Sequence, residues 1–153
     1  MAFLIGASRG LLESEHGLGL TCRLVTRRRT PISTDEAPAA IGPYSQAIAH
    51  EGILYCSGAI PLDPEGNQVG DTAAEQATQC LKNLGRVAAA AGTGLEHALR
   101  LTIYTTRLED FAAINEAYES FFASDPPARA AVGVAALPKG VLVEIDAIVA
   151  IPS

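Results

Sequence analysis

A chain of 153 residues with 48% hydrophobic content suits one domain with a single core. The net charge is −6, unevenly spread: five of the 11 basic and two of the 17 acidic residues lie in positions 1–30, which leaves six against 15 and a balance of −9 for the remainder. Such a body repels a phosphate backbone, which argues against broad nucleic-acid binding, and no apolar run reaches the roughly 18–20 residues of a membrane-spanning helix, so the protein is expected to be soluble.

Residues 1–30 differ from the rest in being Gly-rich and ending in Arg27-Arg28-Arg29. They read as an extension to the domain at 31–153: a disordered arm, an organelle-targeting segment, or sequence upstream of a true start such as Val25. The apolar run Phe3–Ala7 is too short for a secretory signal, and Glu13 and Glu15 are unusual in a transit peptide. Cys22, Cys56 and Cys80 have no paired spacing, and His16, His50 and His97 are equally scattered. This pattern suggests reduced cytoplasmic thiols and no metal site.

From Pro31 the pattern is dense. Gln46–Glu51 and Ile53–Ser57 flank Gly52 as a hairpin, and Asp63-Pro64-Glu65-Gly66-Asn67 is a turn. Thr72 with Glu75 makes a capping box for a helix whose inner face is expected at Ala74, Ala77, Thr78, Leu81, Leu84, Gly85, Ala88 and Ala91, until Gly92 stops it. Ala98–Thr106 reads as a strand. Phe111, Ile114, Tyr118, Phe121 and Phe122 form the stripe of a second helix. After Asp125-Pro126-Pro127 come two strands, Arg129–Val134 and Val141–Ile151, separated by Leu137-Pro138-Lys139-Gly140. The order β-β-α-β-α-β-β predicts an α+β fold, a mixed sheet with both helices on one face, and leaves the other face needing a partner.

Chemistry-bearing residues are few. Arg129 heads a strand of small apolar residues, and its guanidinium fork matches a carboxylate bidentately, so it is either a small-acid anchor or half of a structural ion pair. Glu144 and Asp146, two apart in an otherwise apolar strand, share one side of the sheet. They would neutralise Arg129, or one of them would orient a water as a general base does. Asn115 sits about 40° from Phe111 around the second helix and faces inward, to bond nearby backbone or a ligand. Gly42-Pro43-Tyr44-Ser45 and Ser57-Gly58 allow close backbone approach, and Tyr44 supplies a hydroxyl. No nucleophile elbow, phosphate loop or Rossmann fingerprint is present. Residue types suggest a small-acid site without naming a reaction.

Taken together, the segments from Ala37 to Ala47, Tyr55-Cys56-Ser57-Gly58, Phe111–Asn115, Tyr118–Phe122, Pro127-Ala128-Arg129 and Leu137-Pro138-Lys139 through Glu144-Ile145-Asp146 resemble the RidA family of reactive-intermediate deaminases, over about Ile32–Ile151. The resemblance implies a homotrimer of chorismate-mutase-like subunits whose sheets form a barrel, with active sites in clefts between subunits. It also implies hydrolysis of 2-aminoacrylate, 2-iminopropanoate and 2-iminobutanoate to 2-oxo acids and ammonia in the cytoplasm, without a cofactor. Arg129 matches the arginine that binds the substrate carboxylate and Glu144 the glutamate that positions the attacking water. Tyr44, Ser57, Gly58 and Asn115 match the remaining cleft residues, Tyr44 among the catalytic ones. Two departures stand out: Ala131 occupies a position where many members carry Cys, and the link from Phe122 to Arg129 is a few residues shorter. A non-catalytic carboxylate-binding or regulatory module is the competing reading. A ribonuclease or translation inhibitor fits poorly with a balance of −9.

Overall fold

The computed structural model describes residues 28–122 and 124–152. The chain forms strands β1 (Thr30–Ile32), β2 (Ala47–His50) and β3 (Ile53–Ala59), helix α1 (Ala73–Ala90), β4 (Ala98–Thr105), helix α2 (Phe111–Glu119), β5 (Ala128–Gly133) and β6 (Val143–Ala150). The sheet runs β1-β2-β3-β6-β4-β5. Only the β4–β5 pair is parallel, because α2 carries the chain back between them; the other neighbours are antiparallel. The fold is α+β with a mixed sheet and two helices. Among the described residues no helix is long and apolar enough to cross a membrane, and the extension at 1–30 lies almost wholly outside them.

Local chemistry explains most boundaries. The β2–β3 turn takes positive φ at Glu51 (50°) and Gly52 (77°), the two-residue hairpin geometry that matches strand twist. At the start of α1, Thr72 Oγ1 accepts the Glu75 N–H while the Glu75 carboxylate accepts the Thr72 N–H at 3.0 Å, the expected reciprocal cap. Gly92 leaves the helix with φ 77°. The Asp63 carboxylate closes its turn by accepting the Asn67 N–H at 2.8 Å.

The core lies between the helices and one sheet face. Alternate residues of β6, namely Val143, Ile145, Ala147 and Val149, meet Leu54, Leu101 and Ile103 below Leu81, Leu84 and Ile114. Burying each larger aliphatic side chain contributes roughly 1.5–3 kcal/mol. Ala77 and Ala88 are fully buried and let α1 lie close to the sheet.

Two expectations need correction. The face of α1 is broader and differently centred. Ala74, Thr78, Gly85 and Ala91 are only half-buried, whereas Gln76, Gln79 and Asn83 are buried. These amides bond the backbone of the connection after β3: Gln76 Nε2 donates to Gly70 O, Gln79 Nε2 to Leu62 O, and Asn83 Nδ2 to Ile60 O and Leu62 O. Gln76 Oε1 also accepts the Leu142 N–H at 2.7 Å. Apolar periodicity misplaces a helix face when buried amides serve a loop. The second correction is β1, an edge strand that the expected order lacks.

On β6, Glu144, Asp146 and Ile148 alternate with the core residues and face the side without helices, half-buried. Tyr55 on β3 is 47% exposed. One chain leaves that sheet face open.

Candidate active site

Arg129 sits on β5, an edge strand paired only with β4, where it lies opposite the buried Leu101. Cross-strand partners share a face, so its side chain rises on the helix side. There it crosses α2, whose Phe111 and Tyr118 are two turns apart and so fall on one stripe. The guanidinium carbon lies 5.4 Å from the Phe111 ring centroid and 4.8 Å from that of Tyr118. Such stacking contributes about 0.5–1 kcal/mol at an exposed site and holds the guanidinium plane without using its N–H donors. Asn115, Tyr118, Glu119, Phe122, Pro126, Pro127 and Arg129 line one groove.

Among the described residues no carboxylate lies within ion-pairing distance of Arg129. Asn115 Oδ1 and the Tyr118 hydroxyl are buried there without a hydrogen-bond partner. Burial pushes the Tyr118 phenol above its usual range, and Arg129 acts against that shift. Asn115 is half-buried and faces inward as expected, but its oxygen does not bond backbone.

Tyr44, Ser57 and Gly58 form a second group, which Glu144 meets at Gly58. The Gln46 side chain organises the loop that carries Tyr44. Its Oε1 accepts the Thr34 N–H at 2.7 Å and its Nε2 donates to Pro38 O at 2.8 Å and Thr34 O at 3.1 Å. Ser57 Oγ donates to Ser45 O at 2.7 Å, and the Tyr44 hydroxyl accepts the Ile41 N–H at 3.2 Å. Tyr44, Ser57 and Gly58 border a cavity closed by Ile41, Leu84 and Val87. The β3–β6 register shifts between Cys56 and Ala59, and within that irregularity Gly58 lies against the Glu144 carboxyl; a Cβ there would come within 2.8 Å of Glu144 Cδ.

Burial, and secondarily the Asp146 charge, raises the Glu144 carboxyl above the ordinary carboxylate value. Asp146 instead accepts the Tyr104 hydroxyl at 3.0 Å. Neighbouring Cys56 is pushed up to about 12 by burial and then by Asp146, so its thiol stays protonated.

Of the six expected residues, Arg129 and Asn115 share one groove, Tyr44, Ser57 and Gly58 border a separate cavity, and Glu144 meets that second group at Gly58. Glu144 is paired in register with Tyr104, whose side chain reaches Asp146 on the open face, while Arg129 is beside core-facing Leu101. The sheet separates them within one chain. The expectation that Glu144 or Asp146 balances Arg129 is thus overturned: β4 stands between their strands and they point to opposite faces. Sequence reasoning assigned Phe111 and Tyr118 to the core stripe and missed that their rings carry Arg129. The Phe111-x3-Asn115-x2-Tyr118 spacing was the available signal.

Residues 34–151 match the family model described as Endoribonuclease L-PSP. RutC family protein y4sK of Sinorhizobium fredii is 50% identical over 122 residues, covering 79% of this chain and 97% of that protein. The 2-iminobutanoate/2-iminopropanoate deaminase of Mus musculus is 47% identical over 121 residues, covering 78% of this chain and 90% of the relative. The crystal structure of RidA from the Antarctic bacterium Psychrobacter sp. PAMC 21119 superposes with a TM-score of 0.77 at 42% identity, covering 80% of this chain and 100% of that one. With its sequence match, its mixed sheet and its two helices, the chain belongs to the endoribonuclease L-PSP family, the superfamily of the RidA proteins.

Proposed function

We propose that the domain at 31–153 is a RidA-type deaminase that hydrolyses 2-imino and 2-enamino acids, such as 2-iminobutanoate, 2-iminopropanoate and 2-aminoacrylate, to 2-oxo acids and ammonia in the cytoplasm. The observation that carries this reading is Arg129: a cation with free donors, held on aromatic rings at an open groove with no carboxylate within ion-pairing distance among the described residues. A structural ion pair would have filled those donors. A small acid fills them bidentately.

In this reading Arg129 fixes the substrate carboxylate and Glu144 orients a water against the C=N carbon. The water oxygen adds to that carbon and one of its protons passes to nitrogen. The resulting carbinolamine expels ammonia as the hydroxyl proton leaves and the C=O bond forms. An enamine first takes a proton on its terminal carbon and gives one up from nitrogen, becoming the imine. Tyr44, Ser57, Gly58 and Asn115 bound the substrate, and no cofactor takes part.

Because the sheet separates Arg129 from Glu144, one substrate meets both only where two copies adjoin. The uncovered sheet face and the exposed β5 edge supply surface for that contact, in keeping with a homotrimer whose sites lie between subunits. The family description names an endoribonuclease, but the balance of −9 outside positions 1–30 disfavours RNA as substrate.

The test is a coupled assay with a threonine dehydratase and threonine. Added protein is expected to speed ammonia release from the imine; unchanged release across a range of protein concentrations sinks the proposal.

A further inference from the structure

The Arg129 groove holds more hydrogen-bonding capacity than a carboxylate alone would use. Tyr118 is 5% exposed and its hydroxyl has no partner among the described residues; the same is true of Asn115 Oδ1. Both side chains leave α2 from positions three apart, and both line the groove that Arg129 crosses. Leaving buried polar atoms unpaired destabilises a free protein. Two together, beside an unpaired cation, point to a ligand that satisfies all three.

The chemistry of the three groups narrows that ligand. Arg129 offers only donors and calls for an anion. Asn115 Oδ1 only accepts, so it needs an N–H or O–H. The Tyr118 hydroxyl does either, so it takes a second N–H or gives its proton to the anion. A 2-oxo acid has the anion, but its keto oxygen is an acceptor and leaves Asn115 Oδ1 unpaired. A 2-imino or 2-enamino acid carries N–H beside the carboxylate.

We propose that Asn115 Oδ1 and the Tyr118 hydroxyl form a nitrogen-reading subsite beside Arg129, which favours small planar acids with an N–H next to the carboxylate over the 2-oxo acids left by hydrolysis. The natural ligand named here rests on the deaminase reading; the subsite itself does not. Discrimination of this kind would release product once its nitrogen is gone.

Calorimetry with two non-hydrolysable acids of nearly the same shape, pyrrole-2-carboxylate and furan-2-carboxylate, tests it on the full chain. Pyrrole-2-carboxylate should bind about tenfold more tightly, the effect of one hydrogen bond gained against one acceptor left facing another. Tyr118→Phe keeps the ring under Arg129, so affinity for furan-2-carboxylate should stay within about twofold while the ratio falls toward one. Asn115→Ser should also lower the ratio. The Tyr118→Phe protein should melt no lower than wild type, because the hydroxyl it lacks has no partner among the described residues. Equal affinity of wild type for the two acids, or no binding of either, overturns the proposal. So does a Tyr118→Phe variant that loses thermal stability or changes assembly mass while keeping the wild-type ratio, since the hydroxyl then serves the fold or a subunit contact. A wild type inactive in the dehydratase assay but selective for the pyrrole acid would reject the deaminase reading alone.

Discussion

The two halves of the candidate site spend their polar groups differently. Around Tyr44 and Ser57 side chains bond their own surroundings: Gln46 ties down the 34–38 loop, Ser57 bonds Ser45, Tyr44 bonds Ile41, and Asp146 bonds Tyr104. Around Arg129 the cation has no anion, and Asn115 Oδ1 and the Tyr118 hydroxyl have no partner among the described residues. The first half is a preformed wall whose hydrogen bonds hold a loop in shape. The second keeps its capacity for something outside the chain. Since the sheet lies between them, the proposed reaction would bring both halves to one molecule only where two copies adjoin.

Arg129→Ala should break the second half outright. We expect kcat/KM in the dehydratase assay to fall at least about 100-fold, the effect of removing one partner of a charged pair. Melting temperature should barely move, since Arg129 is exposed and rests on the Phe111 and Tyr118 rings. The sharper experiment mixes subunits. Co-expressed Arg129→Ala and Glu144→Gln chains should regain about a quarter of wild-type activity, because random pairing in a cyclic oligomer joins an intact Arg129 to an intact Glu144 at that frequency. No recovery would mean that both residues act within one chain, or that one of them does not act.

Glu144→Gln alone should lower kcat roughly tenfold to 100-fold, with wild-type activity rising as pH passes through a midpoint above 4.5 as the carboxylate forms. Asp146→Asn removes the neighbouring charge and should move that midpoint down. Stability runs the other way. A folded-state value raised above the unfolded one means that the native chain binds the proton more tightly, so the contribution of Glu144 is favourable below 4.5 and is lost as pH rises through the raised value. At neutral pH Glu144→Gln should therefore melt no lower than wild type, and any advantage should shrink on acidification. A pH–rate midpoint at or below 4.5 would remove the buried carboxylate from the rate-determining chemistry.

The contrast between the halves also marks what a sequence can disclose. The Thr72–Glu75 cap, the Gly52 turn and the alternation along β6 were legible because each depends on residues a few positions apart. β1 was not, because three residues that include a proline become a strand only through their pairing with β2. Arg129 and Glu144 stood out in the sequence as candidates, but the faces they take did not. Alternation is readable within β5 and within β6, yet the register that links them runs through β4 and exists only once the strands pair. Likewise a stripe of Phe111 and Tyr118 looks the same whether it packs on Leu or carries a guanidinium.

Smaller effects probe the first half. Gly58→Ala places a methyl where the Glu144 carboxyl lies, and because that carboxyl ends a flexible side chain, the chain should fold while the water-holding group is displaced. A loss of about tenfold in kcat, with little change in melting temperature, is the expected result; full activity would show that Glu144 has a second position from which it works. The smallest effect concerns Cys56, beside Ser57 on β3. With its thiol raised to about 12, only about one molecule in 10,000 is thiolate at pH 8, so iodoacetamide should leave it unmodified in the native protein, as read by peptide mass, with activity intact. Since Ala131 puts no thiol on β5, activity that survives alkylation is what a site built on Arg129 and Glu144 requires. Rapid labelling of Cys56, with activity lost in step, would instead put a reactive sulfur in the wall that the hydrogen bonds describe as closed.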